Sequence, residues 1–319
     1  MSNTWNAMTY TNIGRTAFTA FMKKLTALAV FATDFTDEIV QGDTISVPIV
    51  PISDDAVDMA DTGEMDGGVA YDREDANIIK GVTTGSVSVT LSKAPAAGFV
   101  IPDHEAEKIA AGLRQDTQNK LITTKAYAVA NFCLKQAFNL LTKATYTNTP
   151  FFTGPAAAFN YDDIVDGKAT LVNAGFDLDM PTYIVLDPDY YAAVSKDSKI
   201  SDLSASGFNV VRTGDIPLLS GLVPVQAAAL SGATTAYDTN KVRGFVCQPS
   251  AMACAMRPIQ CQAPEKLEHY EIFTDDDTGI SMVYRAWYSA GKGQLYHNLE
   301  TKFGAAAGQA EALSLILED

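Results

Sequence analysis

The sequence predicts an α+β protein of two or three compact units, and three observations predict it. Apolar residues recur at helical spacing over 15–31 and, for much longer, over 103–143. Between those stretches, and again towards the end, apolar residues alternate with polar ones as in half-buried strands. The chain has 319 residues, of which 47% are hydrophobic, which is enough to bury sizeable cores.

Each element follows in order. Phe18, Phe21, Met22, Leu25, Leu28 and Ala29 share one helix face within 15–31. Over 34–50 the period changes to two, with Ile45, Val47 and Ile49 on one side. Pro48 suits an edge strand or a bulge, because it cannot donate to a ladder. Residues 51–76 are acidic and hold Gly63, Gly67 and Gly68, and alternation returns at 85–91 with Val87, Val89 and Leu91. Two such strands around a long charged tip read as an extended arm. A lone hairpin is marginal in water, so the arm needs something to lie on.

Residues 103–143 read as one continuous helix on the order of 60 Å long. Asp103, Glu105 and Glu107 crowd its start and Lys135 and Lys143 its end, as the helix dipole favours. Pro150, Gly154 and Pro155 break the pattern. Beyond them 161–174 is helix-like and 183–186 a buried strand. Asp187-Pro188 opens another helix. Short apolar runs at 208–211, 223–229 and 242–247 complete an α+β region. Strands are expected at 267–274, 280–289 and 294–303, joined by turns at 275–279 and 290–293. Residues 305–319 form a tail with no evident partner.

Charge narrows the function. The formal net charge is −15, which disfavours a dedicated nucleic-acid binder. It runs +3 over 1–33, −11 over 34–80, +3 over 81–145, −4 over 146–264 and −6 over 265–319. Such alternation suits a protein that lays one segment across a neighbour. No apolar run is long enough to cross a membrane as a helix. Lys23 and Lys24 interrupt the first apolar stretch, where a secretory signal would carry no charge, so a cytoplasmic protein is expected. Cys133, Cys247, Cys254 and Cys261 match neither a redox pair nor a zinc framework, and buried free thiols are expected.

Chemistry is sparse, and no catalytic, cofactor-binding or metal-binding residue is predicted. His104, His269 and His297 are the only histidines, none with a partner at ligand spacing. His104 reads as a solvated first-turn residue, the other two as structural. Asp275, Asp276 and Asp277 read as a turn, lacking the spacing of a calcium loop. Gly291-Lys292-Gly293 is too short for a phosphate loop and precedes no helix. The carboxylates between 54 and 75 are too dispersed for the rigid placement catalysis needs.

The order of parts resembles the tailed-phage major capsid family, whose fold is shared with encapsulins. The likeness is carried by 34–50, 103–143, Tyr183-Ile-Val-Leu-Asp-Pro-Asp-Tyr-Tyr191, and Gly279-Ile-Ser-Met-Val-Tyr-Arg-Ala-Trp287 with the strand that follows. It implies an N-terminal arm over 1–41, an extended β-hairpin loop over 42–101 and a peripheral domain with a spine helix over 102–150. An axial domain over 151–264 and closing peripheral strands with a tail over 265–319 complete it. It further implies a non-enzymatic structural subunit that self-assembles into pentamers and hexamers of an icosahedral phage head. That head would enclose double-stranded DNA, in a virion built in the host bacterial cytoplasm. Partners would be further copies of the chain, a separate scaffolding protein, a portal, possible decoration proteins and, non-specifically, packaged DNA. Arg15, Lys23, Lys24, Arg114, Lys120, Lys125 and Lys135 are candidate partners for the acidic loop. Lys80 and Asn298 stand nearest to a cross-linking pair, yet nothing local marks them and no cross-link is expected. Two other readings fit the same residues: an encapsulin-like compartment, and a cytoplasmic enzyme with a carboxylate-based site.

Overall fold

The computed structural model describes residues 4–30, 44–49, 64–65, 69–70, 85–108, 111–176, 181–201, 216, 218–230, 236–237 and 240–319. It starts with α1 (Thr4–Lys24) and, past Leu25, α2 (Thr26–Ala29). Ile13, Ala17, Phe21, Leu25 and Leu28 form its buried stripe at steps of three and four. The helix expected at 15–31 therefore begins earlier, at Thr4. Its first turns hold Thr and Asn, whose propensity alone does not announce a helix, and Tyr10 secures it by stacking on His269.

β1 (Thr44–Ile49) pairs antiparallel with β4 (Gly85–Thr90), and between them β2 (Glu64–Met65) pairs with β3 (Val69–Ala70). Ile45 faces Val89 and Val47 faces Val87, the register the alternation predicts. β5 (Ala96–Pro102) follows, then α3 (Asp103–Ala106) and α4 (Ala111–Phe138). The single helix expected over 103–143 is thus two pieces, the long one about 42 Å by its 28 residues. It stops at Phe138 because the next bonds tighten: Leu140 N–H reaches Ala137 O and Leu141 N–H reaches Phe138 O. The following Thr142 and Thr145 then bond each other through their hydroxyls.

Next come β6 (Phe152–Thr153), α5 (Tyr161–Asn173), β7 (Thr182–Leu186), α6 (Pro188–Lys196) and α7 (Ser198–Ser201). Asn160 and Asp163 close a reciprocal capping box on α5. Asp187 caps α6, with Pro188 in its first turn, as Asp-Pro at that point predicts. β8 (Leu222–Gln226), β9 (Ala236–Tyr237), β10 (Asn240–Cys247) and β11 (Met252–Arg257) continue the chain. It closes with β12 (His269–Thr274), β13 (Ser281–Ser289), β14 (Gln294–Glu300), β15 (Lys302–Ala307) and β16 (Leu313–Glu318). The run expected at 208–211 lies outside the described residues.

Two sheets organise these strands. One is four-stranded and antiparallel, in the order β12-β13-β14-β5. The other runs β6-β16-β10-β7-β8, with β9 on β10. The antiparallel ribbon β11-β15 connects them, since β10 leads into β11 and β14 leads through β15 into β16.

α1 lies along α4 and over β12 and β13, inside the main core, as its apolar face requires. Two expectations need correction. Residues 96–102 leave the hairpin to become an edge strand beside β14. The tail does have partners, β15 on β11 and β16 between β10 and β6, so the closing segment ends in the six-stranded sheet. Leu313, Leu315, Ile316 and Leu317 are buried there, which is why this mostly apolar run holds a strand.

Candidate functional site

The residues weighed for chemistry are scattered. His104 is exposed on α3. Asp275 belongs to the turn between β12 and β13, where its carboxylate accepts from Thr278 Oγ1 at 2.6 Å. Its main chain bonds Ile280 and Gly279, so this group closes a hairpin. Cys133, Cys247 and Cys254 are buried free thiols, and Cys261 is half-buried. Burial pushes the Cys133 thiol up to about 12, which keeps it protonated and inert. Among the described residues no group of His, Cys, Asp and Glu could hold a metal ion, and no helix is long and apolar enough to cross a membrane.

His269 and His297 do come together, in a stack that binds α1 to the four-stranded sheet. Tyr10 stacks on His269 with centroids 5.6 Å apart, and His297 stacks on Phe99 at 4.6 Å. Tyr284 Oη and His297 Nδ1 share a hydrogen bond of 2.7 Å. Burial lowers the His297 pKa from 6.5 to about 4, so the imidazole is neutral, and raises that of Tyr284. Sequence spacing hides this cluster, because its five residues come from five elements, four strands in register and the helix packed on them.

Of the extended hairpin expected from the sequence, the structure describes the root, β1 paired with β4. Ile45, Val89 and Leu91 pack with Ala253 and Ala255 into a small core separate from the main one, with Ala306 against it. The root therefore sits on the connecting ribbon β11-β15. Small residues allow the approach: a Cβ at Gly304 would stand 2.4 Å from Thr90 O. The run Gly304-Ala305-Ala306-Ala307 carried that signal, since a glycine within a strand marks a close backbone approach. Gly304→Val is accordingly expected to displace the hairpin root at a cost of about 1–3 kcal/mol. Hydrogen exchange checks it, through faster exchange at 85–91 with the amides of β13 and β14 unchanged.

Of the carboxylates between 54 and 75, Glu64 sits in β2 opposite Ala70, and the others, Asp54, Asp55, Asp58 and Asp61 among them, lie outside the described residues. Lys80 also lies outside them. Asn298 is half-buried in β14, its Nδ2 donating to Glu300 Oε2 at 3.2 Å. The basic candidates converge on one layer. Arg15, Lys23, Lys120 and Lys135 are exposed, and Lys24 and Lys125 half-buried, on α1 and α4. Arg114 belongs to the first turn of α4. Lys120 bonds Asp116 at 2.8 Å, one turn away.

No family model matches the chain, and no curated protein matches it in sequence. Solved structures do match in fold. A chain of Mycobacterium phage Che8 shares 13% identity at a TM-score of 0.51, covering 90% of this chain and 89% of its own length. The capsid structure of cyanophage P-SCSP1u gives 14% identity and a TM-score of 0.51, covering 88% and 85%. The asymmetric unit of the bacteriophage PhiM1 mature capsid gives 12% and 0.53, covering 88% and 83%. At these identities the likeness is one of fold, and it extends along nearly the whole chain: the α+β fold is the one found in phage capsid subunits.

Proposed function

We propose that this chain is a structural subunit of an icosahedral phage head, assembling with copies of itself into pentamers and hexamers around double-stranded DNA. The observation that carries the reading is the fold likeness to two phage capsid structures over 88% of the chain. The hairpin gives it a physical basis. Its root is held on β11 and β15 by a core of five small or medium side chains. The segment it carries, 50–84, has nine acids against two bases. An acidic stretch of this density suits contact with a basic surface, and a lone hairpin reaching beyond its own subunit would find one on a neighbouring copy. Shell building of this kind asks for complementary surfaces of large area, not for a catalytic group.

In this reading the four-stranded sheet, with α1 and α4, forms the peripheral part of the subunit. The six-stranded sheet, with α5 and α6, forms the axial part around which capsomers close. A separate scaffolding protein and a portal would complete assembly in the host cytoplasm.

Negative-stain electron microscopy of the expressed chain tests the proposal. Closed isometric particles that protect DNA from nuclease are the expected result, and a small discrete oligomer with no particles at any concentration would sink it. Reversing charge at Asp54, Asp55, Asp58, Asp61 and Glu64 should reduce particle yield at least tenfold, because like charges then meet across the contact. Circular dichroism of the same variant should stay that of the wild type. Unchanged yield would remove the acidic segment from the contact.

A further inference from the structure

α1 and α4 lie side by side on one face of the four-stranded sheet, α1 over β12 and β13, α4 over β14 and β5. Their outward faces therefore point the same way, away from the sheet. In a chain with 38 acids, the residues of α1, α2 and α4 include one, Asp116, against Arg15, Lys23, Lys24, Arg114, Lys120, Lys125 and Lys135. The chain's average would place about six acids there, and a face that only meets water is normally laced with Glu–Lys pairs one turn apart. Here the outward positions between the cations are filled by Thr16, Thr19, Thr26 and Thr124 instead. Thr16, Thr19 and Thr124 each bond a carbonyl of their own helix, at 2.9, 2.9 and 3.1 Å, and Thr26 at the start of α2 bonds Lys23 O at 2.9 Å, so none brings a negative charge to the cations. Among the described residues the ion pair within these helices is Lys120 with Asp116.

We infer that the outward face of the α1–α4 layer holds the phosphate backbone of duplex DNA, without reading its sequence. The inference rests on the shell reading, and names the side of the subunit that meets the packaged genome. A duplex presents one charge about every 1.7 Å along its axis and needs no register, which matches cations spread along two helices better than a pocket would. Leu121, Tyr127 and Phe132 are each about 40% exposed on the same face and can rest on the sugar edges without cost in charge.

The test uses the full-length chain, kept unassembled at low concentration and checked by light scattering, with a fluorescent duplex read by anisotropy. Arg15, Lys23 and Lys135 are exposed, and no ion pair joins any of them to a described residue. Contacts through these three give a slope of log K against log salt of about −2.7, or about twentyfold weaker binding on tripling the salt. The variant Arg15→Gln/Lys23→Gln/Lys135→Gln should lose at least tenfold in affinity and most of that slope. A control of equal net charge, Lys93→Gln/Lys266→Gln/Lys292→Gln, removes exposed lysines elsewhere and should bind as the wild type does. Equal loss in both variants would mean net charge alone acts, and would overturn the assignment. So would wild-type DNA affinity in the first variant. A third overturning result is that a peptide covering 50–84 binds the wild type but not the first variant while DNA binds both alike, which assigns the face to a neighbouring copy. The shell reading fails separately, by absence of wild-type particles under the microscope.

Discussion

Arg243→Ala is expected to destabilise the protein by about 3 kcal/mol, the low end of the cost of orphaning one member of a buried ion pair. Arg243 on β10 joins two carboxylates from distant parts of the chain. Its Nε donates to Glu318 Oε2 at 2.7 Å, and Nη1 reaches Asp187 Oδ2 at 3.4 Å. Asp187 is 2% exposed and already committed, through Oδ1, to the amide of Asp189 at the start of α6. Burial raises its pKa, and Arg243 works against that rise. Without the guanidinium, Asp187 either stays ionised with one weaker partner or takes up a proton and weakens the helix cap. The urea midpoint at neutral pH measures the loss, and Arg243→Lys should recover only part of it, since an ammonium cannot span both carboxylates in one plane. A change under 0.5 kcal/mol would show that Glu318 and Asp187 are satisfied without it.

Acid should destabilise the fold through His297 before most carboxylates titrate. The folded-state pKa of about 4 lies below the ordinary 6.5, so the unfolded chain binds the extra proton first. The stability that the neutral imidazole confers is thus complete above pH 6.5 and falls as pH drops towards 4, by roughly 3 kcal/mol in all. The physical cause is a ring that is 1% exposed and stacked on Phe99, hydrogen-bonded to Tyr284 through one nitrogen and with the other without a hydrogen-bond partner. Protonation would place a charge in that buried site. Denaturant midpoints between pH 7 and 4.5 should therefore decline in the wild type and flatten in His297→Phe. That variant starts lower by about 1–3 kcal/mol, because the Tyr284 hydroxyl loses its partner. Parallel slopes in the two proteins would contradict this account.

Much of the fold was legible wherever side chains repeat with the period of the element. Ile45, Val47, Val87 and Val89 gave the hairpin, Asp187-Pro188 the start of α6, and 269–300 the meander. Three of the strands that escaped share one cause. Ala96–Pro102, Met252–Arg257 and Lys302–Ala307 are rich in Ala and Gly, which have low strand propensity and no apolar alternation to read. They are strands because other strands flank them, and the same smallness lets the hairpin root settle on β11 and β15. The length of the spine helix was overestimated because apolar spacing persists to Leu141 although the hydrogen bonding does not. The candidate surfaces divide in the same way. The cations of α1 and α4 could be counted in sequence, but not that two helices 87 residues apart at their nearest ends, Lys24 and Ala111, would share one outward face. The triad of Asp187, Arg243 and Glu318 has no local signature at all.

The placement of β16 also bears on synthesis. This strand occupies an inner position of the six-stranded sheet, with β10 on one side and β6 on the other, some 160 residues earlier in the chain. Until residue 318 has left the ribosome, β10 has an unpaired edge and the buried face of the sheet lacks Leu313, Leu315 and Leu317. A nascent chain can form α4 and the capped α5 as it emerges, since those contacts are local. It cannot present a finished six-stranded sheet until residues 313–318 are free of the ribosome.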